Sequence, residues 1–279
     1  MTDPLVTADW LNTRLGHADV QVLDASWFLP AEGRNGHAEY LAGHIPGAAF
    51  FDIDAFTDRS VDLPHMLATP QVFAEMAGRL GLSRDGVIVA YDSFGIRAAA
   101  RVWWTLKVMG FDQVYVLDGG LRAWKAAGFR TEAGEVSLAP TAVAPSYKPD
   151  LVRSLGEVRA IVTSGSAQLV DARGAARFRG EAPEPRVGLR SGHMPGARNV
   201  PFDTLLNPDG TLRTVPEIEA IFAAAHADLG RPIVTTCGSG VTASVLALAL
   251  ARTGRTAPVY DGSWSEWGGL VGAEVVTGP

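Results

Sequence analysis

The sequence repeats itself, and this repeat constrains the fold more than any other feature. The hexapeptide Gly43–Ala48 (GHIPGA) returns in the second half as Gly192–Ala197 (GHMPGA). Each copy follows an apolar run that ends in Asp-Ala and precedes a Phe-Asp pair. A second apolar run, a glycine-containing loop and an Ala-rich stretch then follow in both halves. Because the matching blocks keep the same order, the sequence predicts a tandem duplication.

Each half alternates short apolar runs with helical stretches. The run Val87–Tyr91, for example, corresponds to Pro232–Thr236 in the second half. Such alternation is typical of βα units, so we predict an α/β fold of two tandem domains, each a mainly parallel sheet flanked by helices. A proline-containing stretch without clear periodicity separates the halves. We therefore predict an N-terminal domain over 1–135, a linker over 136–150 and a C-terminal domain over 151–279.

The composition excludes several classes of protein. Of the 279 residues, 47% are hydrophobic and 19% are charged, as in ordinary globular proteins. No apolar run reaches the roughly 18 residues of a membrane helix, and the first residues do not resemble a secretory signal. The single cysteine excludes an intramolecular disulfide and a multi-cysteine metal site. We expect a cytoplasmic protein with no metal or other cofactor and no membrane partner.

Charged residues are unevenly distributed along the chain. The net charge is -6, and the acidic excess falls in residues 1–135, which argues against nucleic acid as a partner. The second half nonetheless contains an arginine cluster in which Glu181 and Glu184 are the only counter-charges. Its members are Arg173, Arg177, Arg179, Arg186, Arg190 and Arg198. Such a cluster in a neutral domain suggests a site for a small anion, and a solvated surface loop is the alternative interpretation.

The two halves differ at the end of a predicted strand, a position where a catalytic residue is expected. After the central apolar run, the first half continues with Asp92 and the second half with Cys237, the only thiol. The carboxyl edge of a parallel sheet is where α/β proteins bind ligands. Gly238 and Gly240 allow the backbone to turn its N–H groups inward, and a helix begins near Thr242. These features favour the reactive thiolate, so Cys237 is the predicted nucleophile; a buried structural cysteine is the alternative.

These residues resemble the two-domain rhodanese-type sulfurtransferases, and among them the 3-mercaptopyruvate sulfurtransferases most closely. The resemblance covers essentially the whole chain. It rests on the loop Cys237–Ala243, the segment Arg177–Arg186, the repeated hexapeptide and the segment Tyr260–Trp267. It implies two rhodanese-like domains, of which the first, with Asp92 at the cysteine position, is non-catalytic.

The resemblance also implies a reaction. Cys237 would take the sulfane sulfur of 3-mercaptopyruvate as a persulfide, release pyruvate and pass the sulfur to a thiol such as thioredoxin or to cyanide. Ser239 would bind the substrate or help to move a proton. Arg177 and Arg186 would hold the carboxylate and carbonyl of this small anionic donor. The N–H groups of the loop would stabilise the sulfur anion, and its further binding residues would be Gly238, Gly240, Val241 and Thr242.

Three questions stay open at this point. Thiosulfate is the alternative donor, although the neutral Gly238 and Ser239 stand where enzymes of the thiosulfate type carry basic residues, and a dianion gains more from such charge. A non-catalytic rhodanese-fold binding module is the alternative of a different class. A Ser–His–Asp relay, proposed for some members, would use Ser239 and His44, but Asn35 occupies a position where an acidic residue is expected.

Overall fold

The computed structural model describes residues 3–279 and divides the chain into two compact units. Unit 1 and unit 2 are each built from three stretches of chain. Unit 1 consists of the residues up to Asp58, Leu67–Lys148 and Leu206–Leu212, and unit 2 consists of Arg59–Met66, Pro149–Leu205 and Arg213–Pro279. The sequence did not suggest that the short stretches 59–66 and 206–212 depart from a simple two-part division.

The segment predicted as a linker, 136–150, belongs to unit 1 as far as Lys148. It has no helix or strand before residue 149. Its backbone is nonetheless anchored, since the N–H of Thr141 donates to the carbonyl of Gly78 at 2.9 Å and that of Lys148 to the carbonyl of Val108 at 2.8 Å. These bonds hold the segment against helices of unit 1.

Unit 1 is a five-stranded parallel sheet with helices between its strands. Its strands are β1 (Leu5–Val6), β2 (Val20–Asp24), β3 (Ala49–Phe50), β4 (Val87–Tyr91) and β5 (Val114–Leu117). Its α-helices are α1 (Ala8–Asn12), α2 (Gly36–Ala42), α3 (Pro70–Arg79), α4 (Ala98–Val108) and α5 (Gly120–Ala126). The sheet order is β1-β5-β4-β2-β3, and every pair is parallel.

Unit 2 repeats this arrangement. Its strands are β6 (Val152–Arg153), β7 (Gln168–Asp171), β8 (Arg198–Asn199), β9 (Ile233–Thr236) and β10 (Val259–Tyr260). Its α-helices are α6 (Leu155–Ser164), α7 (Ala175–Phe178), α8 (Val215–Ala224), α9 (Ala243–Arg252) and α10 (Ser263–Trp267). The order β6-β10-β9-β7-β8 matches that of unit 1 strand for strand, again with parallel pairs. The prediction of two duplicated α/β domains is confirmed.

The central helix of each unit follows from its composition. In α9, the residues from Ala243 to Leu250 are all buried, and in α4 only Lys107 is not fully buried. Helix α9 is apolar on nearly all faces; such a helix is stable only when it is enclosed, and it therefore holds the loop before it in a fixed position. No helix within residues 3–279 is long and apolar enough to cross a membrane.

Candidate active site

The backbone of Cys237 is held on both sides at the carboxyl end of β9, the central strand of the second sheet. Its N–H donates to Ser263 Oγ at 3.2 Å, and its carbonyl accepts from the N–H of Trp264 at 3.0 Å. The next carbonyl, that of Gly238, accepts from the N–H and the hydroxyl of Ser265 at 2.8 and 2.7 Å. The residue itself is 2% exposed. Helix α10 thus fixes the thiol-bearing residue.

Ser263 adopts a backbone conformation that favours glycine. Its φ is 50°, and the corresponding residue of unit 1 is Gly120 with a φ of 56°. The hydroxyl gives serine a role that glycine could not fill, since it accepts from the N–H of Cys237 and donates to the carbonyl of Tyr260 at 2.8 Å. The segment Tyr260–Trp267 carries part of the family resemblance, but the sequence alone assigns no role to Ser263.

The loop after Cys237 presents open backbone donors. Gly240 has a φ of 79°, a left-handed value that turns the chain there. Among residues 3–279, no acceptor is hydrogen-bonded to the N–H groups of Ser239, Gly240, Val241 or Thr242. Buried backbone N–H groups are nearly always paired in native proteins. Four open donors in succession are therefore a signature of a ligand site.

Unit 1 shows what such a loop can bind. The carboxylate of Asp92, 1% exposed, stands at the position of the thiol. Its Oδ1 accepts from the N–H groups of Phe94 and Gly95 at 2.9 and 2.8 Å. Its Oδ2 accepts from those of Arg97 and Ala99 at 2.9 and 2.8 Å. The loop of unit 1 is an anion cradle filled by its own side chain.

The two predicted donor-binding arginines meet this loop. A β-carbon built on Gly238 would lie 3.3 Å from Arg177 Nη2 and 3.9 Å from Arg186 Nη1. The structure therefore brings both guanidinium groups beside the cysteine loop. Gly238 itself has no left-handed φ. Its missing side chain makes room for the arginines, which differs from the turning role expected from the sequence.

A buried chain of alternating charges stands behind Arg177. Asp171 Oδ2 accepts from Arg173 Nη2 at 2.7 Å, and Arg173 Nη1 donates to Glu184 Oε1 at 2.8 Å. Glu184 Oε2 then accepts from Arg177 Nη2 at 2.5 Å, with Nε at 3.3 Å from Oε1. The side chains of Asp171, Arg173 and Glu184 are at most 1% exposed, whereas that of Arg177 is 28% exposed. Only the last member of the chain reaches the solvent.

Arg173 is central to this chain. It also donates to the carbonyl of Gly192 at 2.8 Å and lies 4.3 Å over the ring of Trp264. Burial alone would lower the pKa of its guanidinium, but the neighbouring carboxylates of Asp171 and Glu184 raise that pKa on balance. The sequence had shown Glu184 only as a counter-charge among arginines, and nothing in the pattern indicated its burial.

Ser239 is paired with a histidine that the sequence had not singled out. Its Oγ lies 2.9 Å from Nδ1 of His65, and both residues are buried. His65 lies in the 59–66 stretch, which belongs to unit 2.

His44, the candidate for this pairing, has a different environment. Its Nδ1 lies 2.9 Å from the carbonyl of Tyr40 and its Nε2 3.4 Å from Glu132 Oε1, all within unit 1. The ring is fully buried and stacks on Tyr40. The imidazole that contacts Ser239 is therefore that of His65, whereas the His44 ring bonds and packs against Tyr40 of α2.

The described residues offer no evident metal centre. No group of three or more His, Cys, Asp or Glu side chains within 3–279 is arranged to hold an ion. The chemistry available at the site is that of a thiol, hydrogen-bond donors, two guanidinium groups and a Ser–His pair.

Comparison with known proteins gives consistent matches over most of the chain. The family model described as "Rhodanese-like domain" matches residues 7–127 and 154–270. The 3-mercaptopyruvate sulfurtransferase of Escherichia coli K12 is 43% identical over 94% of both chains, and the human protein of that name is 41% identical over 94% of this chain and 91% of its own. The Arabidopsis thaliana protein named "Thiosulfate/3-mercaptopyruvate sulfurtransferase 1, mitochondrial" is 41% identical over 95% of this chain and 76% of its own.

Solved structures agree with these matches. The crystal structure of SseA from Escherichia coli, described with the rhodanese fold of 3-mercaptopyruvate sulfotransferases, superposes with a TM-score of 0.87 at 41% identity, covering 94% of this chain and 99% of the other. Tum1 from Saccharomyces cerevisiae gives a TM-score of 0.89 at 29% identity, covering 98% and 97%. With both domains matched by the family model and relatives above 40% identity, the chain belongs to the rhodanese family and contains two rhodanese-like domains.

Proposed function

We propose that this protein is a sulfurtransferase that takes sulfur from 3-mercaptopyruvate, carries it as a persulfide on Cys237 and delivers it to a thiol or to cyanide. The observation that carries this proposal is the meeting of three groups at the end of β9. These are the thiol, a run of open N–H groups and two guanidinium groups. Relatives named 3-mercaptopyruvate sulfurtransferase at 41–43% identity support the same donor.

The arginines account for donor binding. The guanidinium fork matches a carboxylate and can reach a neighbouring carbonyl oxygen at the same time. Arg177 and Arg186 would therefore hold the carboxylate and keto groups of the donor, which places its C3 sulfur over Cys237. Because Gly238 has no side chain, the guanidinium of Arg177 can lie close to the loop that would hold the donor.

The transfer step balances with the groups at the site. The Cys237 thiolate attacks the donor sulfur, so that an S–S bond forms and the C3–S bond breaks. The electron pair of the broken bond passes to C3 as pyruvate enolate, which takes up a proton and leaves as pyruvate. The donor thiol supplies one proton, and the Ser239–His65 pair, 2.9 Å apart, is the route we propose for moving it.

The loop N–H groups would hold the sulfur after transfer. In Asp92 the bonded oxygens are two bonds from Cβ, and the outer sulfur of a cysteine persulfide is also two bonds from Cβ. Ser239, Gly240 and Thr242 occupy the positions of three of the four donors to Asp92. The filled cradle of unit 1 thus serves as an internal precedent for a persulfide anion on Cys237.

In the second half of the reaction, the persulfide on Cys237 passes its outer sulfur to an acceptor. A thiolate such as that of thioredoxin, or cyanide, attacks the outer sulfur and releases the Cys237 thiolate. A single cysteine means that no second thiol of this chain can resolve the persulfide. The acceptor must come from outside, and we propose the reducing cytoplasm as the compartment that supplies it.

Thiosulfate is the second candidate donor. The name of the Arabidopsis relative, which includes both donors, favours keeping it. A dianion would gain most from unbalanced positive charge at the loop, whereas Gly238 and Ser239 are neutral. We therefore propose that thiosulfate is turned over more slowly than mercaptopyruvate.

Intact-mass measurement tests the proposal directly. The protein is mixed with 3-mercaptopyruvate and the reaction is quenched before an acceptor is added. We expect the mass of one added sulfur atom in the wild type and none in Cys237→Ser, with kcat for pyruvate release reduced by at least about 10³-fold in that variant. If the wild-type protein never gains sulfur, the proposed transfer reaction is wrong and a non-catalytic binding module is the remaining interpretation. Parallel steady-state assays with mercaptopyruvate and thiosulfate show which of the two donors has the higher kcat/KM.

A further inference from the structure

We propose that Glu184 is a positioning residue for Arg177. It orients the guanidinium group and balances its positive charge, and the site thereby selects a monocarboxylate over a dianion. The inference rests on the proposed function of the same site. Glu184 is not expected to touch the substrate, since its carboxylate oxygens are both engaged by arginines and its side chain is 1% exposed.

Glu184 first fixes the direction of Arg177. Nε and Nη2 of Arg177 both face the carboxylate, at 3.3 and 2.5 Å. This two-point contact holds the plane of the guanidinium, whose rotation would otherwise cost side-chain entropy on binding. Since Nη2 is also the atom nearest to Gly238, the contact sets where the remaining N–H groups point at the loop.

Glu184 also changes the charge that the loop experiences. The chain Asp171–Arg173–Glu184–Arg177 contains two carboxylates and two guanidinium groups, linked by contacts of 2.5 to 2.8 Å. Its formal charge is therefore zero. Charges buried at this depth are weakly screened by water, so Arg177 acts at the site more as a set of hydrogen-bond donors than as an excess cation.

A charge-balanced network of side chains should affect the binding of the two donor classes differently. Mercaptopyruvate carries one carboxylate, which the N–H groups of Arg177 can bind with good geometry. Thiosulfate carries two negative charges, and its binding would gain about twice as much from an additional positive charge at the same distance. Removing the charge of Glu184 should therefore help thiosulfate more than mercaptopyruvate.

The decisive variant is Glu184→Gln, compared with Glu181→Gln. Glu181 is in the same segment but is 56% exposed and pairs with Arg179. We expect Glu184→Gln to shift the ratio of kcat/KM for thiosulfate to that for mercaptopyruvate by roughly tenfold towards thiosulfate, chiefly through a lower KM for thiosulfate. Glu181→Gln should leave the ratio unchanged. An equal fall with both donors would reduce Glu184 to a structural residue and overturn the inference.

A wild-type measurement covers the case in which Glu184→Gln does not fold. Acetate and sulfate are tested as competitive inhibitors of mercaptopyruvate turnover at constant ionic strength. A charge-balanced Arg177 predicts that sulfate competes no better than acetate, and a roughly tenfold preference for sulfate would overturn the inference. Failure of the proposed function would look different, because the wild type would then gain no sulfur from mercaptopyruvate.

Discussion

The anion cradle of unit 1 gives a quantitative prediction, because its ligand is a side chain that can be changed. In Asp92→Ala, the N–H groups of Phe94, Gly95, Arg97 and Ala99 lose their acceptor at once. A hydrogen bond to a charged group contributes about 1.5–3 kcal/mol net. Water entering the vacated space would regain part of this, so we expect a loss of about 4 kcal/mol in the free energy of unfolding of unit 1.

Urea unfolding followed by tryptophan fluorescence measures this loss. At roughly 3 °C per kcal/mol, the corresponding fall in Tm is about 12 °C. Asp92→Asn keeps one acceptor oxygen but turns N–H groups towards the other pair of donors, so its loss should be intermediate. Asp112→Ala is the matched control, since that carboxylate is 79% exposed and bonded to Lys148, and its loss should stay below about 1 kcal/mol.

The result bears on the function of the second loop. A loss below about 1 kcal/mol for Asp92→Ala would mean that these N–H groups are indifferent to an anion. The argument that the same loop stabilises a persulfide on Cys237 would then lose its internal precedent. A large loss would instead measure how strongly this loop geometry favours negative charge.

Two further predictions concern histidines. His65→Gln should lower kcat for pyruvate release by about 10²-fold while sulfur still accumulates on Cys237, because proton movement through Ser239 is slowed. His17→Gln, an exposed change, should leave kcat unaltered, and an unchanged kcat in His65→Gln would remove the relay. The pKa of His193 is lowered from 6.5, chiefly because the imidazole is buried. The charge of Arg173 adds to this effect, whereas the carbonyl of Phe178 and the carboxylate of Asp171 oppose it. The stability contributed by its neutral form is present above pH 6.5 and is lost as the pH falls through the lowered value. Urea unfolding of the wild type between about pH 7.5 and pH 5.5 should therefore show a fall that is smaller in His193→Asn, and equal falls in both would contradict this assignment.

The sequence was sufficient for the fold because the duplication doubles every signal. Weak strands such as β8, with two residues, are hard to recognise alone, but each has a counterpart in the other half. The thiol loop was equally visible, since strand, cysteine, glycines and apolar helix are adjacent in the chain. The arginine cluster was visible through its local density, and the family resemblance singled out Arg177 and Arg186 within it.

The remaining parts of the site depend on contacts that leave no local pattern. His65 is separated from Ser239 by 174 positions and lies in a stretch without helix or strand periodicity. Its φ of 62° lies in the left-handed region, and no neighbouring residue in the sequence signals this conformation. His44, inside a conspicuous repeated hexapeptide, was the more obvious candidate for this reason.

Glu184 shows a second limit of prediction from sequence, namely that the burial of a charged side chain cannot be seen. Its neighbour Glu181 has the same charge, the same arginine-rich surroundings and a separation of three residues, yet one is 1% exposed and the other 56%. Charge counting treats the two as equivalent. Burial decides which of them controls the site, and burial depends on the packing of Arg173 beneath it.

Ser263 carries a consequence for attempts to make this protein more robust. A non-glycine residue with φ of 50° costs about 1 kcal/mol that glycine would not, as Gly120 illustrates in the other unit. Glycine would relieve this strain, but it would also leave the buried N–H of Cys237 without its acceptor, which costs about 1–3 kcal/mol. The substitution that stability design would suggest for a left-handed residue should therefore bring no gain here, because the side chain that strains this backbone also anchors the amide of the nucleophile.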